Sequence, residues 1–475
     1  MSQTDSALDY GTKTADHGSY RFNRVYSLNG QTVTPTSSIV ENQFEIPQKV
    51  VNLSKSTLDF QISVPGTTSN YTRLMSLGMS MIDSITLMSR EGVEIARVQN
   101  VDMYTRAVLP MVTKLQDFLD YDQSLGAITS VIANVTDNGF NFFRSNIAPT
   151  ATPTVISGNY PQPCSTRIGA NTGVAVACRD AFIEPCYFHQ GGSAGAQYIN
   201  YSIPLSKIAP HTLLSLNKDL YFGQAVIFRV NWTPIAKIGW DTASASDIST
   251  TPLNIVSAVT YTSLNLKLAV EQNPVVISTL VSKVNTSGLS LVVPFVHSYL
   301  YSSPSATANT HQQRFNRAHG ERLLHVYQFI ANTNASNYAH LNADISNILP
   351  TPDGVNMAKV NSFMPSLNSS NLSEYVINCL KGEDYENMRP LLKGSVITSK
   401  NSYDHNRCYA LSWRKGPCVE WLDNDDVEDG IELDVEQNVV FDNTLNSTAA
   451  AYRNYMYAIT QRRLNIAPGG IISIS

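Results

Sequence analysis

Between Pro47 and Val64 the chain changes character. In "FEIPQKVVNLSKSTLDFQISV" (44–64) an Asn-Leu-Ser-Lys-Ser segment gives way to strict alternation: Leu58, Phe60, Ile62 and Val64 share one face, and Asp59, Gln61 and Ser63 share the other. A period of two belongs to a strand with one face buried. The stretch is therefore predicted to open a β unit, with Phe60 between two sheets and Asp59 pointing outward. "SMIDSITLMSREGVEIARV" (80–98) predicts a hairpin, with Ile85 and Leu87 leading out, a turn at Arg90-Glu91-Gly92, and Val93, Ile95 and Val98 returning. The spacing then lengthens: Val108, Val112, Leu115 and Leu119 predict a short helix within 101–122, kinked at Pro110.

Residues 123–200 are rich in Gly, Pro, Ser, Thr and Asn and are predicted as a long, partly stranded loop region. Strands resume at 196–205, 225–232 and 258–272, the last with Leu264, Leu266 and Leu268 alternating with Asn265 and Lys267. The composition turns polar at 282–288, and a second series follows: strands at 289–301, 320–333, 408–416, 431–441, 449–468 and 470–475, a polar loop region at 334–371, and a helix at 372–382. Residues 1–20 read as a flexible arm. The expected organisation is all-β: a first unit over 21–275 and a second over 276–475, each a sandwich or jelly roll with long insertions and a few short helices.

Composition narrows the function classes. Charged residues make up only 15% of the 475, against a usual share of about a quarter. Ser, Thr, Asn and Tyr replace them, a mix that suits strands, polar loops and surfaces buried against other subunits. The net charge is −5, and residues 1–20 set Asp5, Asp9 and Asp16 against Lys13, so no direct nucleic-acid binding is expected. Met1–Tyr20 lacks an apolar stretch and apolar runs elsewhere are short, so neither a signal peptide nor a transmembrane helix is expected. Cys164, Cys178, Cys186, Cys379, Cys408 and Cys418 show no paired spacing and are expected to be reduced. The Asn-x-Ser/Thr sequons at Asn52, Asn231, Asn285 and Asn446 carry no weight without secretion.

The candidate chemistry does not assemble into an active site. "GGSAG" (191–195) has the spacing of a nucleophile elbow at Ser193, yet lacks the strand before and helix after that the elbow needs. Cys186 and His189 in "CYFH", with Cys178, offer soft metal ligands without a second pair. In "DNDDVEDG" (423–430), counting from Asp425 puts Asp429, Gly430 and Glu436 at calcium-loop positions, but Val427 occupies a ligand position. Arg314, Arg317, His319 and Arg322 in "RFNRAHGER" could meet phosphate; a polar connection between strands or an intersubunit contact is the expectation. No catalytic residue, metal ligand or cofactor is assigned. "APGGIISIS" (467–475) reads as a turn before a last strand.

The order of these segments carries a resemblance. An arm leads into "VVNLSKSTLDF" (50–60). The hairpin "LMSREGVEIARVQNVDMY" (87–104) runs into a helix, "LNLKLAVEQNP" (264–274) closes the first half, and "YMYAITQRRLNIAPGGIISIS" (455–475) ends the second. This resembles the double jelly-roll major capsid proteins of icosahedral double-stranded DNA viruses, in their virophage and polinton-like branch. The resemblance implies two tandem eight-stranded jelly rolls in one chain and a homotrimer forming a pseudo-hexameric capsomer. It also implies neighbouring capsomers, penton and minor capsid proteins as partners, a place in the virion shell, outward loops at 123–195 and 334–371, and protease processing near Gly469-Gly470 as an alternative to the intact tail expected here. Two other classes fit the β pattern: a β-sandwich spike or carbohydrate-binding attachment protein, and a β-rich hydrolase using Ser193.

Overall fold

Period-two segments become strands, and their pairing order defines two units. The structure, a computed structural model, describes residues 20–36, 38–64, 71–75, 78–114, 162–163, 186–189, 197–242, 254–255, 259–302, 310–315, 321–332, 360–379, 381–395, 397, 403, 408–414, 416–421, 430–433, 438–445 and 452–475. The first unit contains β1 (Tyr20–Tyr26), β2 (Val40–Ile46), β3 (Val51–Val64), β4 (Ile82–Ser89), β5 (Glu94–Gln99), β6 (Gln197–Pro204), the short β7 (Asp219–Leu220), β8 (Val226–Trp232) and β9 (Thr260–Glu271). One sheet runs β1-β9-β3-β6, with β7 also on β3; the other runs β2-β8-β4-β5. Leaving β7 aside, the first, eighth, third and sixth strands form one sheet and the second, seventh, fourth and fifth the other. That is the order of a jelly roll.

The second unit repeats it. Its strands are β10 (Leu289–Ser302), β11 (Thr310–Phe315), β12 (Arg322–Asn332), β13 (Val360–Leu367), the split fifth strand β14 (Ser370–Asn371) and β15 (Ile377–Asn378), then β16 (Tyr409–Ser412), β17 (Val439–Leu445) and β18 (Tyr452–Ile466). The sheets run β10-β18-β12-β16 and β11-β17-β13 with β14 and β15 on β13. A last strand, β19 (Ile472–Ile474), pairs with β18.

Burial follows the predicted faces. Leu58, Phe60 and Ile62 are buried, whereas Asp59, Gln61 and Ser63 are partly exposed. The Phe60 ring meets Tyr201 on β6 and Trp232 on β8 at 5.2 Å each, and Tyr261 on β9 at 5.9 Å. Because β8 belongs to the facing sheet, Phe60 joins the two layers of the roll. The indole N–H of Trp232 donates to Asn42 Oδ1 at 2.7 Å, which satisfies a buried donor.

Long connections also pair. Asn254–Ile255, Gly239–Thr242, Tyr71–Met75, Cys186–His189 and Gln162–Pro163 form one sheet in that order. They come from three separate connections of the first roll, so its insertions share a common structure.

Several expectations need correction. The stretch 58–64 lies in the third strand of the roll, not the opening one: β1 and β2 precede it. The helix expected at 372–382 is the β15 region, and a short helix follows at Glu383–Met388. The loop region expected at 334–371 ends in β13 and β14; Pro365 and an irregular register between Val360 and Ser362 break the alternation that would have marked β13. Arg314 lies in β11 and Arg322 opens β12, so "RFNRAHGER" is not wholly a connection. The helix expected within 101–122 appears as α1 (Val101–Ala107) and α2 (Leu109–Val112), broken before Pro110; residues 115–122 lie outside the described residues. An unexpected helix, α3 (Pro274–Thr286), separates β9 from β10. Pro274 opens it and the Asn273 side chain accepts from Val275 N at 3.0 Å, a standard N-terminal cap. The helix of Glu383–Met388 is α4.

Candidate functional site

What the fold builds most elaborately is the seam between its two rolls. In the second roll, Tyr327 and Phe329 on β12 pair in register with Tyr457 and Tyr455 on β18, so their rings share the outer face of that sheet. Phe329 stacks on Tyr455 at 5.0 Å. These four rings are buried. Their face covers the fifth strand of the first roll, the helix after it, and the segment ending at Leu213–Ser215, with β10 packed on β5.

The contacts are specific. Asn100, in the left-handed region at φ 50, turns the chain from β5 into α1. Its carbonyl accepts from the Tyr457 hydroxyl at 3.2 Å. On the next turn Tyr104 meets Tyr457 edge-on at 4.8 Å, and its hydroxyl lies 2.8 Å from His211 Nδ1. His211 is itself left-handed (φ 63). Non-glycine residues adopt that conformation only where their surroundings hold them in it. The His211 ring lies 6.1 Å from His325 and 5.9 Å from Tyr327, both on the second roll. His325 Nδ1 faces the Leu411 carbonyl at 3.3 Å, so Nδ1 carries the proton and donates.

Both histidines are buried. Burial, with the Arg414 charge adding to it, pushes His211 down to about 3. Burial, His211 and Arg414 hold His325 well below the ordinary histidine value. Each ring is therefore neutral at pH 7. Cys379, Cys408 and Cys418 are buried thiols, and burial pushes the Cys418 thiol up to about 12. Thiols so held are packing residues, not nucleophiles.

A second clasp joins the rolls at Gly223 and Gly470. A Cβ added at Gly223 would lie 2.7 Å from Gly470 Cα, and one at Gly470 would lie 2.6 Å from the Gly223 carbonyl carbon. Both glycines have positive φ, so neither position accepts a side chain. Gln224 Nε2 donates to the Gly470 carbonyl at 2.8 Å. Within the second roll, Glu321 accepts from His297 Nε2 at 2.9 Å and Arg462 Nε at 2.7 Å. Burial alone would raise this carboxyl; the bonds from His297 and Thr460 and the charge of Arg462 outweigh it and hold it below the usual range.

The sequence candidates fall elsewhere. Cys186 and His189 bound one short strand, and Cys178 and Ser193 lie outside the described residues, as do Asp425, Val427, Asp429 and Glu436. Gly430 is described, with φ 106. Arg314 and Arg322 are exposed on different sheets of the second roll, and Arg317 and His319 lie outside the described residues. Among the described residues, no group of three or more His, Cys, Asp or Glu is placed to hold a metal ion, and no helix is long and apolar enough to cross a membrane.

Strand order and seam together define an all-β double jelly roll, the fold class read from the sequence. No family model matches the sequence, and no curated protein matches it. Solved structures do. PBCV-1 VP54, fitted into a cryo-EM reconstruction of the virophage Sputnik, has 8% identity, coverage of 96% of each chain and a TM-score of 0.51. The Faustovirus major capsid protein has 9% identity, coverage of 94% of this chain and 90% of its own, and a TM-score of 0.50. At these identities the likeness is one of fold, and it extends over nearly the whole of each chain.

Proposed function

We propose that this chain is a major capsid protein whose copies tile an icosahedral virion shell as pseudo-hexameric homotrimers. The observation that carries the reading is the seam. It sets the outer face of one roll's first sheet against the fifth-strand edge of the other, and two unlike surfaces in contact form a joint that can repeat around a ring. Two rolls per chain and three chains per ring give six similar units in one tile. The low charge content supports burial of much of the remaining surface between subunits. In this reading the chain divides at 275/276, inside α3, which links the rolls. Its partners are neighbouring capsomers with penton and minor capsid proteins, it is made and assembled in a host cell, and no catalytic residue, cofactor or metal is assigned. Electron microscopy of the purified chain tests the reading: threefold particles with a near-hexagonal outline support it, and single two-lobed particles refute it.

A further inference from the structure

The seam within the chain uses one surface of each roll, and among the described residues the counterpart of each is left uncovered. The second roll contributes the outer face of β10-β18-β12; in the first roll the corresponding face is that of β1-β9-β3. The first roll contributes its fifth strand β5 and the following helix α1; in the second roll the corresponding elements are β14, β15 and α4. These counterparts carry exposed apolar side chains. On and beside β1, Phe22 is 51% exposed, Tyr26 50% and Leu28 60%. In the turn between β14 and β15, Leu372 is 41% exposed, Tyr375 54% and Val376 50%. Residues this apolar are seldom left together on a surface that meets only water.

The rest of each surface fits the same purpose. Phe22, Arg24 and Tyr26 pair in register with Ala269, Lys267 and Asn265 on β9, and Asn265 and Lys267 in turn with Asp59 and Thr57 on β3. On that face the cations lie at and beside β1, where Arg24 is exposed and the Lys267 ammonium lies 4.8 Å from the Phe22 ring centroid, with Asp59 farther off on β3. Glu374 is exposed within the opposing turn. The signs are complementary.

We infer that the β1 face of one copy docks on the β14–β15 turn of a second copy, repeating between chains the joint that holds the two rolls within one. Resting on the capsomer reading, this names its intersubunit surfaces: Phe22, Tyr26 and Leu28 on one side, Leu372, Tyr375 and Val376 on the other. Because the surfaces differ, the contact is heterologous, and with the threefold rotation of the capsomer reading a contact of that kind closes into a ring.

Cysteines placed at Tyr26→Cys and Tyr375→Cys in one full-length chain test it. After oxidation the double variant should run as covalent dimers and trimers on a denaturing gel, and each single variant as monomer. Tyr26→Glu, which sets a second carboxylate against Glu374, should weaken the trimer at least about tenfold, with an unchanged melting profile. The proposal is overturned if the parent is trimeric while the double variant does not cross-link and Tyr26→Glu assembles normally; the capsomer reading would then stand with other surfaces. A disulfide between two Tyr26→Cys positions, identified by peptide mapping of the single variant, would also overturn it, since that bond requires like surfaces to meet. A monomeric parent would remove the capsomer reading itself, and this inference with it.

Discussion

Phe60 touches three aromatic rings, one of them across the sandwich. Truncating a buried Phe typically costs about 3–5 kcal/mol, and a carboxylate in its place has no partner in an apolar layer. Asp59, one residue away, faces outward, where it accepts from Thr57 Oγ1 and Ser202 Oγ at 2.7 Å each. Phe60→Asp should therefore yield insoluble protein, and Asp59→Asn should fold like the parent; the soluble yield and thermal melt of the two variants measure this. A soluble, cooperatively melting Phe60→Asp protein would contradict the packing assigned to β3. Alternation in a half-buried strand is local information, so these two residues were legible from sequence. The seam residues were not. Leu323 to Phe329 are all buried because β12 is covered on both faces, and such a strand reads as one continuous apolar run. "RLLHVYQFI" marks a strand without saying what lies on its second side, and the partners of His325 and Tyr457, namely His211, Tyr104 and Asn100, lie far off in the chain.

At the scale of elements, most strands were legible because their edges are marked by turn residues and their faces by alternation. The failures have separate causes. Helix α3 buries Val276, Leu280 and Val284 at a spacing of four, but its Val, Ser and Thr content looks strand-like or looped. β14 and β15 are two residues each, too short for any period. Strand β19 closes the end of β18, and its preceding turn brings Gly470 against Gly223. Since side chains at either glycine would meet backbone at 2.6–2.7 Å, Gly470→Val should destabilise the chain by about 1–3 kcal/mol or more. Gly469→Ala, where nothing lies within 4 Å but φ is also positive, should cost less. Chemical denaturation of both variants checks the order; equal loss would mean that the clasp contributes nothing beyond the turn.

For the whole molecule, the seam makes stability depend on pH. His211 binds no proton in the folded chain until pH falls to about 3, whereas in the unfolded chain it titrates near 6.5. The unfolded state therefore binds more protons across that window. Stability is intact above about pH 6.5 and falls below it, by up to about 1.4 kcal/mol per pH unit for each such histidine. His325 acts in the same direction, and so does Glu321, whose lowered value means that protonation forfeits its bonds. Melting temperatures should drop between pH 7 and pH 5, and His211→Gln should flatten that drop; an unchanged slope would place the acid sensitivity elsewhere. Above the seam stands the central claim, that one joint used within the chain and again between chains turns two jelly rolls into a six-unit tile. Two-dimensional class averages of the purified protein test it most directly. The account predicts threefold rings of six similar lobes, and isolated two-lobed particles at micromolar concentration would contradict it.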